Sequence, residues 1–208
     1  MPAAPEKFVL RTSLTSPFGR KVRMAVEALG MAGRVSVVSA DPLDENDTLR
    51  LQNPLGKMPC LLLEDGSSIY DSGIIIKYLQ ELTGGNQLIP PHGLPRFKAL
   101  TRARLADGIM DASILVVYDS RFRPGAPPSE RWLAHQRGKI TRGLAAFELA
   151  PPDPTKTDIV SIGLACALGY LDWRKQVDWR ATAPGLVDWL DRFSAHEPAF
   201  ERTRAPAS

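Results

Sequence analysis

The sequence predicts a chain of two successive parts, an α/β domain followed by an all-helical domain. Three observations predict it. Short apolar runs of strand length fall in the first 83 residues. Beyond residue 94, apolar residues recur at helical spacing and no convincing alternating strand is found. Between them lies Gly84-Gly85-Asn86-Gln87-Leu88-Ile89-Pro90-Pro91-His92-Gly93, a linker by its Gly and Pro content. The expected boundaries are 1–83 for the α/β domain, 84–94 for the linker and 95–208 for the helical domain.

The elements follow in order. Residues 8–10 (Phe-Val-Leu) form an apolar run typical of a buried strand. After Thr15-Ser16-Pro17, Val22, Val26 and Leu29 recur at helical spacing, and Gly30 is a stop signal. Residues 35–38 read as a second strand, which completes a βαβ unit. Residues 41–57 are polar and irregular. Residues 60–63 read as a third strand, Asp65-Gly66 as a hairpin turn, and 68–70 as the antiparallel return. Asp71-Ser72 then caps a helix carrying Ile75, Tyr78, Leu79 and Leu82. The order βαβ then ββα is that of a thioredoxin-like half.

Four helices are expected beyond the linker. Phe97, Leu100, Leu105, Ile109, Ala112 and Val116 mark the first, and Leu133, Ile140, Leu144 and Phe147 the second. Ile162, Ala165, Cys166, Gly169 and Trp173 mark the third, and Leu186, Leu190 and Phe193 the fourth. Proline-rich breaks separate them. The four tryptophans, Trp132, Trp173, Trp179 and Trp189, read as core residues rather than ligand platforms.

Composition narrows the function. Hydrophobic residues are 44% and charged residues 24% of the 208, as in a folded globular protein. The net charge of +3 is small and the basic residues are scattered, so no nucleic-acid partner is implied. The densest basic cluster, Arg20, Lys21 and Arg23, reads as a solvated helix face, with attraction of an anion the alternative. Cys60 and Cys166 form neither a CxxC pair nor a metal-ligand set; they read as buried and inert, and no metal is expected. Few cysteines suit a reducing compartment. The N-terminal MPAAPEKFVL lacks the apolar segment of a signal peptide, and no run is long enough to cross a bilayer. A cytoplasmic protein without membrane association is expected.

Three segments carry chemistry. Ser16-Pro17 places an N-cap before a proline at the first helical position. The same geometry sets a hydroxyl beside unpaired backbone N–H groups, where a thiolate is held; Thr12, Ser13 and Thr15 are rivals for the role. In Asn53-Pro54-Leu55-Gly56-Lys57-Met58-Pro59, the proline precedes a strand. A cis Met58-Pro59 bond would turn the Met58 backbone outward to pair with an extended peptide, whereas a plain turn would not; local sequence leaves both open. Asp71-Ser72-Gly73 opens a helix, and its N-terminus suits a carboxylate while Asp71 suits an ammonium group.

Together these segments resemble the glutathione S-transferase family. The pattern is Ser-Pro-Phe-x-x-x-Val-Arg, then Asn-Pro-x-Gly-Lys-x-Pro, then a hairpin and Asp-Ser-x-x-Ile-x-x-Tyr-Leu, running from Ser16 to Leu79. The helical half matches less specifically. Thr155 to Asp158 resembles the Ser/Thr-x-x-Asp capping box that starts the central helix of the family. The resemblance implies a bacterial-type member with a serine-type site, similar to tau and zeta members. It implies that Ser16 hydrogen-bonds the glutathione sulfur and that Met58, next to Pro59, pairs with the cysteine backbone of glutathione. Asp71 and Ser72 would hold the γ-glutamyl end, and Lys57 would approach the glycine carboxylate. The family more often has Glu where Asp71 stands. A homodimer is implied as well.

The expected chemistry is stabilisation of the glutathione thiolate followed by attack on a small electrophile. A free thiol ionises near pH ~8.5, and lowering that by one unit takes about 1.4 kcal/mol. One charge-assisted hydrogen bond supplies roughly that much. The second substrate is expected between the domains, lined by Tyr118, Arg121 and Phe122; a plain exposed helix end is the alternative for these three. Other readings keep the fold: a glutathione-dependent isomerase, dehalogenase or peroxidase, or a non-catalytic interaction module. The absence of Cys at the first helix disfavours thiol-transfer and thioredoxin-like chemistry.

Overall fold

The computed structural model describes residues 6–206. Residues 1–5 and 207–208, the outer ends of the two expected domains, lie outside the described residues. Contacts divide the chain into two compact units, Met1–Ile89 with Ala199–Ser208, and Pro90–Pro198.

The first unit is built on a four-stranded sheet in the order β2-β1-β3-β4. Its strands are β1 (Phe8–Arg11), β2 (Val35–Val38), β3 (Cys60–Leu62) and β4 (Ser68–Tyr70). β1 and β2 run parallel with Phe8 opposite Val35, as the crossover through helix α1 (Pro17–Ala28) requires. β3 is antiparallel to β1, with Leu61 opposite Leu10, and β4 is antiparallel to β3 across the turn at Gly66 (φ 84°). The central strands bury Phe8, Leu10, Cys60 and Leu61. Helix α1 packs with α3 (Ser72–Leu82), adding Val22, Met24, Ala25, Val26, Ile75, Ile76 and Leu79 to the core. The order of strands and helices matches the sequence reading. Residues 41–57 are less irregular than expected: they include a one-turn helix, α2 (Leu49–Gln52), whose Leu49 is fully buried beside Ala40 and Cys60.

The second unit holds α4 (Gly93–Arg121), α5 (Glu130–Leu149), α6 (Ile159–Arg174), α7 (Trp179–Thr182) and α8 (Pro184–His196). Helix α6 is buried on nearly every side, which explains its unbroken apolar run. Close approach of its neighbours needs glycine. A Cβ at Gly143 of α5 would meet Ile109 of α4 at 2.7 Å, and one at Gly163 of α6 would meet Ala106 of α4 at 3.2 Å.

Three expectations are corrected. The cap of α6 is Asp158, which accepts from the N–H groups of Val160 and Ser161 while Ser161 reaches back to the Asp158 N–H. Thr155 instead hydrogen-bonds Asp153, so the box begins three residues later than the sequence pattern suggested. The basic cluster is not a solvated face. Arg20 and Lys21 are buried, at 6% and 0% exposure, and a last helix, α9 (Ala199–Arg202), packs on α1 and covers Arg20. Arg20 donates to the Phe200 carbonyl at 2.5 Å and lies 4.1 Å over its ring; Arg23 donates to the Thr203 carbonyl. Finally, only Trp179 and Trp189 are core; Trp132 is exposed and Trp173 half-buried. Both cysteines are free and buried, as expected.

Candidate functional site

The site is built on three chain segments of the first unit. Ser16 is the N-cap of α1, and its half-buried hydroxyl oxygen accepts from the Gly19 N–H at 3.1 Å. Pro17 follows at the first helical position, where its missing N–H costs nothing. Capping takes an acceptor lone pair and leaves the hydroxyl proton free to be donated. The structural and chemical readings of Ser16 therefore do not compete. The rival hydroxyls are differently placed: Thr12 is 1% exposed and donates to the Ser13 carbonyl, while Ser13 and Thr15 pair with each other at 3.1 Å.

The second segment is 53–59. The Met58-Pro59 peptide is cis, one of the two alternatives local sequence left open. Exposed Lys57 and half-buried Met58 are held in place by buried Asn53, which sequence reasoning did not single out. Its amide donates to the Lys57 carbonyl at 2.7 Å and accepts from the Leu55 N–H at 3.1 Å. Asn ahead of a Pro-x-Gly turn was the available signal, since its side chain closes such turns. Gly56 turns the chain with φ 58°. The Ser13 N–H donates to the Met58 sulfur at 3.0 Å, which ties this segment to the loop before Ser16.

The third segment is the start of α3. Asp71 is exposed and caps the helix, Oδ1 accepting from Gly73 at 2.8 Å and Ile74 at 3.2 Å. Its backbone has φ 70° and ψ 125°, a strained conformation for a residue with a Cβ. Ser72 is 3% exposed, so its side chain sits against the protein.

Arg11, also not singled out from sequence, braces the segment ahead of Lys57. Its guanidinium donates to Thr48 Oγ1, Gln52 Oε1, the Ser39 carbonyl and Asp47 Oδ1, all between 2.7 and 3.1 Å. The Asp47 carboxyl is held below the usual carboxylate range, first by the Asp41 N–H and then by Leu49 and Arg11, against the opposing effect of burial. Burial pushes the neighbouring Cys60 thiol up. No helix or strand signal marks Arg11, because all four partners are distant in sequence.

Tyr118, Arg121 and Phe122 belong to the second unit. They do come together: Phe122 meets Tyr118 edge-on at 4.9 Å, and Arg121 lies 5.6 Å over the Tyr118 ring. Among the described residues no cluster of His, Cys, Asp and Glu is arranged to hold a metal ion. No described helix is long and apolar enough to cross a membrane.

A thioredoxin-like four-stranded sheet followed by a helical region matches the glutathione-transferase fold. The comparisons agree. The family described as "Glutathione S-transferase, N-terminal domain" matches residues 10–87. The uncharacterized GST-like protein YibF of Escherichia coli (strain K12) is 35% identical over 199 residues, covering 93% of this chain and 96% of that one. A crystal structure of a glutathione transferase family member from Pseudomonas fluorescens Pf-5, with bound glutathione, has a TM-score of 0.90 at 40% identity, covering 97% of this chain and 100% of that one. A second such crystal structure, with bound S-(propanoic acid)-glutathione, has a TM-score of 0.85 at 38% identity, covering 97% and 99%. The chain belongs to the glutathione S-transferase family.

Proposed function

We propose that the protein is a glutathione transferase that ionises glutathione at Ser16 and directs the thiolate at a small electrophile. The observation that carries the reading is the Ser16 hydroxyl, at the N-terminus of α1 with its acceptor side used by Gly19 and its proton available. A thiolate is the natural acceptor for that proton, and the positive end of the helix macrodipole adds to the attraction. The relatives from Pseudomonas fluorescens hold glutathione and an S-substituted glutathione, which supports the same ligand here.

In this reading the ligand extends from Ser16 along the Met58 backbone, beside Pro59. Its glycine carboxylate is met by Lys57, and its γ-glutamyl end by Ser72 and the second oxygen of Asp71. Family membership supports a homodimer acting in the cytoplasm, in detoxification.

Calorimetric titration with glutathione and the ultraviolet absorbance of the bound thiolate against pH test this. Ser16→Ala is expected to raise the pKa of the bound thiol by about one unit and to lower conjugation at neutral pH about tenfold. An unchanged thiol pKa in that variant would assign the role to another group. Thr12→Ala, by contrast, should leave the thiol pKa where it is.

A further inference from the structure

Arg23 of α1 links the returning end of the chain to the loop that carries Ser16. All the residues involved lie in the first unit. Arg23 stands seven positions after the Ser16 cap, about two turns along the same face of the helix. Long side chains on a helix lean toward its N-terminus, so the Arg23 guanidinium is carried back toward that loop. Its Nη2 donates to the Leu14 carbonyl at 3.4 Å and to the Thr203 carbonyl at 2.8 Å. A planar nitrogen with two protons serves both carbonyls at once.

The loop needs such a tie. Ser13 to Ser16 form a turn, closed by the Ser16 N–H on the Ser13 carbonyl at 3.3 Å. Its two central residues, Leu14 and Thr15, are exposed, Leu14 at 48%. Side-chain burial therefore does little to hold the turn. Its first residue is fixed by the Ser13 N–H on the Met58 sulfur at 3.0 Å, and its last by the cap bond from Gly19. Between them, the Leu14 carbonyl is held by Arg23. The far end of the bridge is firm. Thr203 is 2% exposed; its hydroxyl donates to the Ala199 carbonyl at 2.7 Å and accepts from Arg20 Nε at 3.4 Å. The bond to Thr203 is the shorter of the two that Arg23 Nη2 makes, so the C-terminal segment seats the guanidinium, which reaches from there to the loop.

We propose that Arg23 is a positioning residue for Ser16, and that the returning segment takes part by holding the Arg23 guanidinium at Thr203. Arg23 acts on the hydroxyl through the Leu14 carbonyl and the Ser13–Ser16 turn, not by contact with the sulfur. The catalytic half of the proposal rests on the glutathione-transferase reading above. A turn held in one place keeps the Ser16 proton aimed at the thiolate. A loose turn lets the hydroxyl spend part of its time elsewhere and weakens that hydrogen bond in proportion.

Arg23→Met keeps the apolar stem and removes the donors. Amide hydrogen exchange of the full chain, without ligand, reads the loop directly. Exchange at Ser16 and Gly19, whose amides report the turn and the cap, is expected to speed by a larger factor than at Leu10 of the central strand. With glutathione, the bound thiol pKa should rise by about half a unit, and conjugation at neutral pH should fall about threefold. Arg23→Lys, which keeps a donor, should restore most of both. Phe200→Ala should speed exchange at Ser16 in the native chain but add little in the Arg23→Met background, because the two act along one path. Equal factors at Ser16 and Leu10 would make Arg23 a general support of the fold and overturn the proposal, as would an unmoved thiol pKa. A Phe200→Ala effect that persists in full without Arg23 would remove the C-terminal segment from it. If the native chain fails to bind glutathione in a titration, the transferase reading falls, and the exchange comparison still judges the link from Arg23 to the loop.

Discussion

Gly19 of α1 and Gly108 of α4 are both helical glycines, and the same substitution at each has opposite expected consequences. A Cβ at Gly19 would stand 2.0 Å from Thr12 Oγ1, on a side chain only 1% exposed. Alanine gains about 1 kcal/mol of helix propensity there, but overpacking against a side chain with no room costs about 1–3 kcal/mol. Gly19→Ala should therefore lower stability in a urea titration and displace the loop that carries Ser16. A Cβ at Gly108 meets nothing within 4 Å and faces outward. Gly108→Ala should raise stability by about 1 kcal/mol. Asp71 allows a similar separation of roles. Its strained backbone and its two cap bonds explain the residue structurally. Asp71→Asn keeps shape and cap, so stability should change little, while loss of the charge should weaken glutathione binding about tenfold. If affinity is untouched, Asp71 serves the helix alone. At this scale the sequence was informative where a residue's work is local. Ser16 and Asp71 are caps with their partners two or three positions away, and their place in the motif is plain. Asn53 was missed although its bonds are just as local, because its stretch reads as polar and irregular and Pro59 alone marks it.

The least regular element of the first unit is the stretch from Ala40 to Pro59; Asn53 closes its last turn, and Arg11 gathers the part before it. Arg11 projects from β1 and gathers Ser39, Asp47, Thr48 and Gln52. The pair with Asp47 is largely covered, with side-chain exposures of 9% and 12%. Breaking such a pair leaves a covered charge behind, so Arg11→Met should cost about 3 kcal/mol. The pH dependence follows from Asp47, whose carboxyl is depressed in the folded state. A depressed carboxyl stabilises the fold above its unfolded value, about pH 4, and that contribution fades as pH falls through the folded value. The stability difference between the native chain and Asp47→Asn should thus be full at neutral pH and shrink as pH falls below the ordinary carboxylate value, about pH 4. An unchanged difference across that range would show that Asp47 does not titrate in step with folding. Longer elements declared themselves in the sequence through periodicity, α4, α5, α6 and α8 among them. The four-residue helices α2, α7 and α9 did not, because one turn carries no period to detect.

For the molecule as a whole, the chain does not finish its first unit before it builds its second. Residues from Ala199 onward group with the first unit, although everything from Pro90 to Pro198 intervenes. No local signal announces this return. Phe200 reads as any apolar residue near a terminus, and Arg20, Lys21 and Arg23 read as an ordinary basic helix face. Only their joint burial reveals the pairing: Phe200 is 4% exposed, Arg20 lies over its ring, and Arg202 pairs with Glu27 of α1. The return covers the Arg20 guanidinium and accepts its hydrogen bond at the Phe200 carbonyl, so it should be energetically coupled to α1. Phe200→Ala is expected to cost about 3 kcal/mol, the usual loss for a buried aromatic. The sharper test divides the unit. A fragment of residues 6–89 carries the sheet, α1 and α3 but not the returning segment. It should unfold at lower urea than it does when a peptide of residues 199–206 is supplied separately, since a ligand of the folded state stabilises it by mass action. The same peptide with Phe200→Ala should give much less protection. If the two peptides act alike, or neither acts, the last helix rests on the first unit without supporting it.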